Sequence, residues 1–203
     1  MDSAAPAFDE FAVPAVRLVV DVRHTLAAVL VVVPLRTSPD VLTRLFGEFG
    51  MAAALGDLPC IVALDSPEWL DAAGTTALPT EHVIFLAPPA ADTGTVAWQR
   101  LQGLGFQLMT QDAQQRNVQN SCFDAHDPYC NTAFALSSAM VDAVNLTAAA
   151  ALPGSTGVAA LLRRFPGPHL ALDVSTPAAF MAAMIAGCEW FVGDYAYHPA
   201  PAQ

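Results

Sequence analysis

Apolar positions fall into short runs that are separated by stretches with helical periodicity. Residues 26–35 and 83–87 are apolar without interruption, as expected for strands buried on both faces of a sheet. The first two apolar runs are joined by a short polar connection, which predicts a hairpin. We predict strands at residues 17–21, 28–35, 60–64, 83–87, 106–110, 141–146, 169–173 and 190–192.

The stretches between these runs predict helices. Ser38, Ser66 and Thr176 each stand directly before a proline, and a hydroxyl N-cap followed by proline is a common helix start. The predicted helices span residues 39–54, 67–72, 95–104, 129–139, 157–165 and 177–186.

The order of these elements predicts the fold class. Strand and helix alternate after the hairpin, which indicates a mainly parallel sheet with helices outside. Typical (β/α)8 barrels have about 250 residues, and this chain has 203. We therefore expect an α/β barrel with trimmed loops or an incomplete ring, and an open doubly wound sheet is the alternative. The barrel domain is expected at residues 15–199, with tails at 1–14 and 200–203.

Composition excludes several functions. The chain has no lysine, which a P-loop requires. Its net charge of −11 argues against nucleic acid and anionic membranes as partners. The apolar run at 26–35 is too short to span a bilayer, which takes about 20 residues. The acidic N-terminal segment is not a secretory signal, so we expect a cytoplasmic location.

The C-terminal segment 186–199 reads AGCEWFVGDYAYHP. It resembles the closing pattern of EAL domains, G-C-D-x-x-Q-G-Y-x-F-S-x-P, with Gly187, Cys188, Gly193 and Pro199 in register.

Four upstream segments extend the resemblance over nearly the whole chain. Residues 171–180 resemble A-E-G-V-E-T and its helix, and residues 104–113 resemble the L-G-x-x-x-A-L-D-D-F strand. Residues 141–147 resemble A-D-x-V-K-I-D, and residues 31–36 stand in the place of E-x-L-x-R. The chain is thus similar to the cyclic-di-GMP phosphodiesterase-like EAL family, most of all to the variety fused to HDOD domains. The resemblance implies a (β/α)8 TIM-type barrel with one antiparallel strand.

The resemblance also implies that most functional positions of the family have been replaced. Arg36 and Asp112 remain from E-x-L-x-R and from the paired aspartates. Asp65 takes the place of Leu64 if the register is shifted by one position. The replaced positions are Val32, Leu64, Leu86, Gln111, Asn145, Thr147, Leu172, Ser175 and Val192.

These replacements remove the chemistry of a phosphodiesterase. Mg²⁺ and Ca²⁺ need several oxygen ligands, and aliphatic side chains supply none. Two-metal hydrolysis needs the ions to generate hydroxide and to hold the leaving oxygen. We therefore expect a pseudoenzyme without metal or cofactor, in which the former site has become core.

The polar segment 111–131 is the remaining candidate for chemistry. Cys122, His126 and Cys130 are zinc-ligand types, but their spacing matches no standard site, so we predict no metal there. Phe123 and Tyr129 are predicted to be contact residues of an interaction loop, since aromatics on loops often make such contacts.

These observations favour a catalytically inactive EAL-like signalling domain that acts through a protein partner or self-association. A non-hydrolytic cyclic-di-GMP receptor is the alternative, and a residual phosphodiesterase is favoured least. Cyclic-di-GMP is not expected as a partner, because the family's Q-x-P-I glutamine would fall near Leu18 and only Arg36 would remain at the mouth.

Overall fold

The computed structural model describes residues 14–34, 40–64, 66–67, 70, 75, 78–88, 95–110, 130–135 and 168–197. Within these residues eight strands form a closed barrel. The strands are β1 (Ala15–Asp21), β2 (Leu26–Val32), β3 (Cys60–Ala63), β4 (Val83–Ala87), β5 (Gln107–Thr110), β6 (Cys130–Ala135), β7 (His169–Leu172) and β8 (Trp190–Phe191). The described helices are α1 (Val41–Thr43), a π-helical turn (Arg44–Glu48), α2 (Met51–Leu55), α3 (Val96–Gly103), α4 (Pro177–Ala186) and α5 (Asp194–Tyr197).

Each strand pairs with the next one in sequence, and β8 closes the ring on β1. Strand β1 is antiparallel to both β2 and β8, and every other pair is parallel. The β1–β2 turn is held by Asp21, whose carboxylate accepts from the backbone amides of Arg23 and Thr25. The predicted barrel with one antiparallel strand and the predicted hairpin are therefore confirmed.

Two apolar layers explain why β2, β3 and β4 lack polar interruptions. Side chains alternate between the two faces of a strand, and in these three strands both faces are largely buried. The inner layer fills the barrel with Val19, Ala28, Leu30, Ile61, Ile84, Leu86, Met109, Leu170 and Val192. The outer layer packs strands against helices and includes Val29, Val31, Cys60, Val62, Phe85, Leu42, Phe46, Trp98 and Leu101.

Cys60 and Cys188 are buried free thiols, as expected for small core residues. Burial raises the pKa of each thiol to about 12, and nearby Glu189 adds to the effect at Cys188. Both thiols therefore stay protonated near neutral pH and are poor nucleophiles there.

The helix predicted at 39–54 is interrupted. Phe49 donates its backbone N–H to the Arg44 carbonyl at 2.9 Å, which gives the π-helical turn. Gly50 follows with φ 67, a left-handed conformation that glycine adopts without steric cost. One continuous helix was therefore a wrong prediction at this point.

The sixth strand lies elsewhere than predicted. Strand β6 pairs with β5 through Leu108 and Cys130, and with β7 through Ala135 and Leu172. The predicted helix at 129–139 is therefore wrong over residues 130–135, and its remaining residues, like the predicted strand at 141–146, lie outside the described residues. Alanine favours helices, whereas Thr132 and Phe134 favour strands. Pairing with two neighbouring strands outweighs the local preference for a helix.

Helix α4 has the predicted bounds and the predicted cap. The Thr176 hydroxyl accepts from the Ala179 amide at 3.1 Å, and Pro177 opens the helix. Gly187, with φ 107, ends it. Ser38 and the helix predicted at 157–165 lie outside the described residues. In the described ranges, no helix is both long and apolar enough to cross a membrane.

Candidate functional site

The carboxyl ends of β2 to β8 open at one end of the barrel, which we call the mouth. Because β1 is reversed, its first residues also lie there, and Ala15 pairs with Val32 at the end of β2. The carboxyl ends of the strands are where barrel enzymes build their active sites. Two cavities lined by described residues open at this end.

The first cavity, of about 270 Å³, is mostly apolar. Arg17 and Asp173 are its charged lining residues. Its other walls are Leu30, Val32, Val33, Ala63, Leu64, Leu86, Pro88 and Leu172.

Strand register places three of these positions side by side. Val32 pairs with Ala63, and Ala63 pairs with Leu86, so they form one row across β2, β3 and β4. Leu86 is 2% exposed and belongs to the inner layer, and Val32 and Ala63 pack against that layer. Leu64 reaches the cavity but packs in the outer layer, so the inward position of β3 at this level is Ala63. That these positions correspond to family metal ligands stays a prediction.

This row does not fit a divalent metal ion. Val32, Ala63 and Leu86 carry no donor atom, and Leu172, also at the cavity, carries none either. Among the residues that the structure describes, no three His, Cys, Asp or Glu side chains are grouped to hold an ion. Within the described residues, this row therefore supplies no ligand to a metal ion.

Several predicted site residues lie outside the described residues. They are the remnants Arg36 and Asp112, the replaced positions Gln111, Asn145 and Thr147, and the loop residues Cys122, Phe123, His126 and Tyr129. Cys130 begins β6, where only the backbone is described.

The second cavity, of about 440 Å³, is polar and adjoins the first, since Arg17 and Asp173 line both. Among its residues, only Ser175 was predicted from the sequence to be a site position. Two signals could have found Arg17 and Asp173: Arg17 is two residues from inward-facing Val19, and Asp173 directly follows a buried strand. The lining is Arg17, Asp173, Ser175, Gly193, Asp194 and Tyr197.

The loops after β7 and β8 are tied together at this cavity. Val174 donates its N–H to the Val192 carbonyl at 2.9 Å and accepts from the Tyr195 amide at 3.1 Å. Gly193 has φ 152, and a Cβ there would overlap the backbone of Val174. This contact fixes the positions of Asp173 and Tyr197 on either side of it.

Tyr197 lies between the apolar and the polar side of the mouth. It packs against the inner layer, and its buried hydroxyl makes no hydrogen bond of ordinary geometry with the described part of the chain. Burial raises the pKa of the phenol, and this is the largest effect. The nearby Arg17 charge and the Gly193 backbone lower the pKa, whereas Asp194 raises it. The phenol therefore stays neutral at physiological pH, and Arg17 is the cation of this cavity.

No family model matches the sequence, and none of the curated proteins matches it. Solved structures do match. The EAL domain of Mycobacterium smegmatis DcpA is 17% identical with a TM-score of 0.59, covering 89% of this chain and 90% of that one. The Xanthomonas citri FimX EAL domain, solved in complex with c-di-GMP, is 13% identical with a TM-score of 0.59, covering 94% and 88%. A standalone Vibrio cholerae EAL protein in its c-di-GMP-bound form is 16% identical with a TM-score of 0.51, covering 93% and 92%.

The chain therefore has the fold of EAL domains. The expectation that cyclic-di-GMP is not a partner conflicts with these neighbours, two of which were solved with that ligand, and is wrong. It rested on Leu18 in the place of a glutamine. Leu18 is 49% exposed and lies on the face of β1 opposite to Val19, whereas Arg17 lines the mouth. The polar side of the mouth was thereby overlooked.

Proposed function

We propose that this chain is an EAL-like signalling domain that binds cyclic-di-GMP at the barrel mouth without hydrolysing it. The observation that carries the proposal is the row of Val32, Ala63 and Leu86 across three parallel strands. The ligand in the FimX and Vibrio cholerae structures supports the choice of cyclic-di-GMP. Fusion to an HDOD domain stays a prediction.

The absence of hydrolysis follows from the chemistry of this row. Cleavage of a phosphodiester by metal ions needs an activated water and a stabilised leaving oxygen. Val32 and Leu86 provide neither a ligand for an ion nor a base for a water molecule. Restoring one carboxylate would leave it buried beside aliphatic neighbours.

Binding is compatible with the same mouth. Small-molecule sites are commonly about 300–1,000 Å³ and mostly apolar, with a few polar groups that fix orientation. The cavity of about 440 Å³ is within this range, and the adjoining cavity of about 270 Å³ lies just below it. One cavity offers aliphatic walls for a purine ring, and the other offers charged and hydroxyl groups.

Purified protein is expected to release no linear dinucleotide from cyclic-di-GMP with Mg²⁺ or Mn²⁺. The reason is the missing set of oxygen ligands in the row of Val32, Ala63 and Leu86. Chromatography of the reaction mixture measures the product, and a hydrolytically active EAL domain serves as positive control. Steady metal-dependent release that Asp112→Ala abolishes would show the proposal to be wrong.

Exposed apolar side chains favour a second candidate, a protein-interaction role. Val16 and Leu18 on the outer face of β1, and Met181 and Ile185 one turn apart on α4, are about half exposed. Exposed apolar surface often marks a contact with another protein. Sedimentation that shows a monomer at all concentrations would remove self-association from this candidate.

A further inference from the structure

Arg17 is placed where an anion could reach it. It faces the mouth because β1 runs antiparallel to its neighbours, and it lines both cavities. Within the described part of the chain its guanidinium makes no hydrogen bond or ion pair, unlike that of Arg44, which pairs with Glu48, and that of Arg100, which donates to the Leu70 carbonyl. A guanidinium offers five donors in a planar fork that suits phosphate.

Asp173 lines the same two cavities as Arg17. Its φ of 57 is in the left-handed region, which aspartate tolerates better than most residues and glycine tolerates best. In the register of the resemblance, the family pattern A-E-G-V-E has glycine here. The Val174 backbone, bonded to Val192 and Tyr195, holds this conformation in place. Among described residues, Asp173 makes no ion pair, even with Arg17, so both charges are available to a ligand.

The balance of charge selects the kind of ligand. Arg17 faces two carboxylates, those of Asp173 and Asp194, in the polar cavity. A simple anion gains from the arginine but is repelled by the carboxylates. A ligand with both an anionic group and hydrogen-bond donors complements all three side chains. Guanine supplies two adjacent donors, N1–H and the exocyclic N2–H, which a carboxylate accepts together, whereas adenine presents an acceptor at N1.

We propose that Arg17 binds a phosphate and Asp173 binds the donor edge of a guanine, so that the mouth recognises a guanine-containing phosphodiester without a metal ion. This rests on the proposed function, and it names the residues that read the ligand. The aliphatic walls at Val32, Leu86 and Leu172 receive the faces of the ring. Arg17 then supplies the positive charge that faces the phosphate. A metal ion would not supply it, because the aliphatic row has no ligands to hold one.

The test is titration calorimetry in EDTA with cyclic-di-GMP and cyclic-di-AMP as probes. The parent is expected to prefer the guanine ligand. Arg17→Ala is expected to weaken binding of both ligands roughly 10- to 100-fold, as for a lost hydrogen bond to a charged group. Asp173→Asn is expected to reduce the preference for guanine. Asp173→Gly is expected to have the same effect, and it removes the carboxylate without backbone strain, because glycine suits the left-handed conformation at this position. Arg23→Ala removes a positive charge from the β1–β2 turn, at the other end of β1, and should bind like the parent.

The outcomes separate this inference from the proposed function. If the parent binds cyclic-di-GMP in EDTA but Arg17→Ala and both Asp173 variants bind equally well, the assignment of these residues is wrong and the proposed function stands. If the parent binds only after Mg²⁺ is added, metal-free recognition is wrong. If the parent binds neither ligand in either condition, both proposals fail. Thermal melting of each variant confirms that it is folded.

Discussion

Leu86→Glu is expected to lower the free energy of unfolding by about 3 kcal/mol, because it places a carboxylate in the apolar layer between Ala63 and Met109, neither of which can pair with it. Leu86 is 2% exposed and stands beside Ala63 in the barrel interior. For a chain of this length the loss corresponds to roughly 6–12 °C in melting temperature. Thermal melting followed by circular dichroism measures it. Leu86→Met, which keeps the volume and adds no charge, is the control and should cost under about 1.5 kcal/mol.

The pH dependence of this variant follows from the sign of its pKa change. Burial raises the pKa of the new carboxyl, so the folded state binds the proton more tightly than the unfolded state. The deficit relative to the parent should therefore shrink as the pH falls below that raised pKa and should be largest above it. Mg²⁺ should not restore stability. Recovery of the melting temperature by Mg²⁺ would mean that the mouth retains a metal site. The description of the row of Val32, Ala63 and Leu86 as unable to hold a metal ion would then be wrong.

Gly193→Ala is expected to destabilise the protein by roughly 2–3 kcal/mol, in the upper range for single substitutions. A Cβ at this position would overlap backbone atoms of Val174, which cannot move without breaking its bonds to Val192 and Tyr195. The loop that carries Asp173 should shift as well, so binding of cyclic-di-GMP should weaken together with stability.

Gly103→Ala is the matched control, since it ends helix α3 and a Cβ there would meet no described atom within 4 Å outside its own helix backbone. Its melting temperature should stay the same or rise slightly, because alanine favours helices over glycine. Equal melting temperatures for Gly193→Ala and the parent would mean that the loops after β7 and β8 are not packed together as described.

Several strands were predictable because burial on both strand faces leaves a strong signal, whereas the barrel with one antiparallel strand was implied by the resemblance to EAL domains. The strand Val83–Ala87 and the helix Pro177–Ala186 have the bounds predicted from sequence. Strand Cys130–Ala135 was missed because its alanines favour a helix locally, and only pairing with β5 and β7 makes it a strand. The domain limits at 15 and 199 and the cytoplasmic location stay predictions.

The candidate site was predictable only in part. The resemblance to EAL domains anticipated the aliphatic row at Val32 and Leu86, but the choice between Ala63 and Leu64 depends on which face of β3 each occupies. Arg17 and Asp173 were missed because closure of the barrel through β8 brings together residues far apart in sequence. A pattern along the chain does not record that closure.

Calorimetric titration of the parent protein with cyclic-di-GMP, first in EDTA and then with Mg²⁺, tests non-hydrolytic binding at the mouth most directly. The proposed function predicts saturable binding with the same affinity in both conditions. It also predicts that the cyclic-di-GMP recovered from the calorimeter's sample cell afterwards is intact. Binding that requires Mg²⁺ and ends in linear dinucleotide would contradict it, and so would the absence of binding in both conditions.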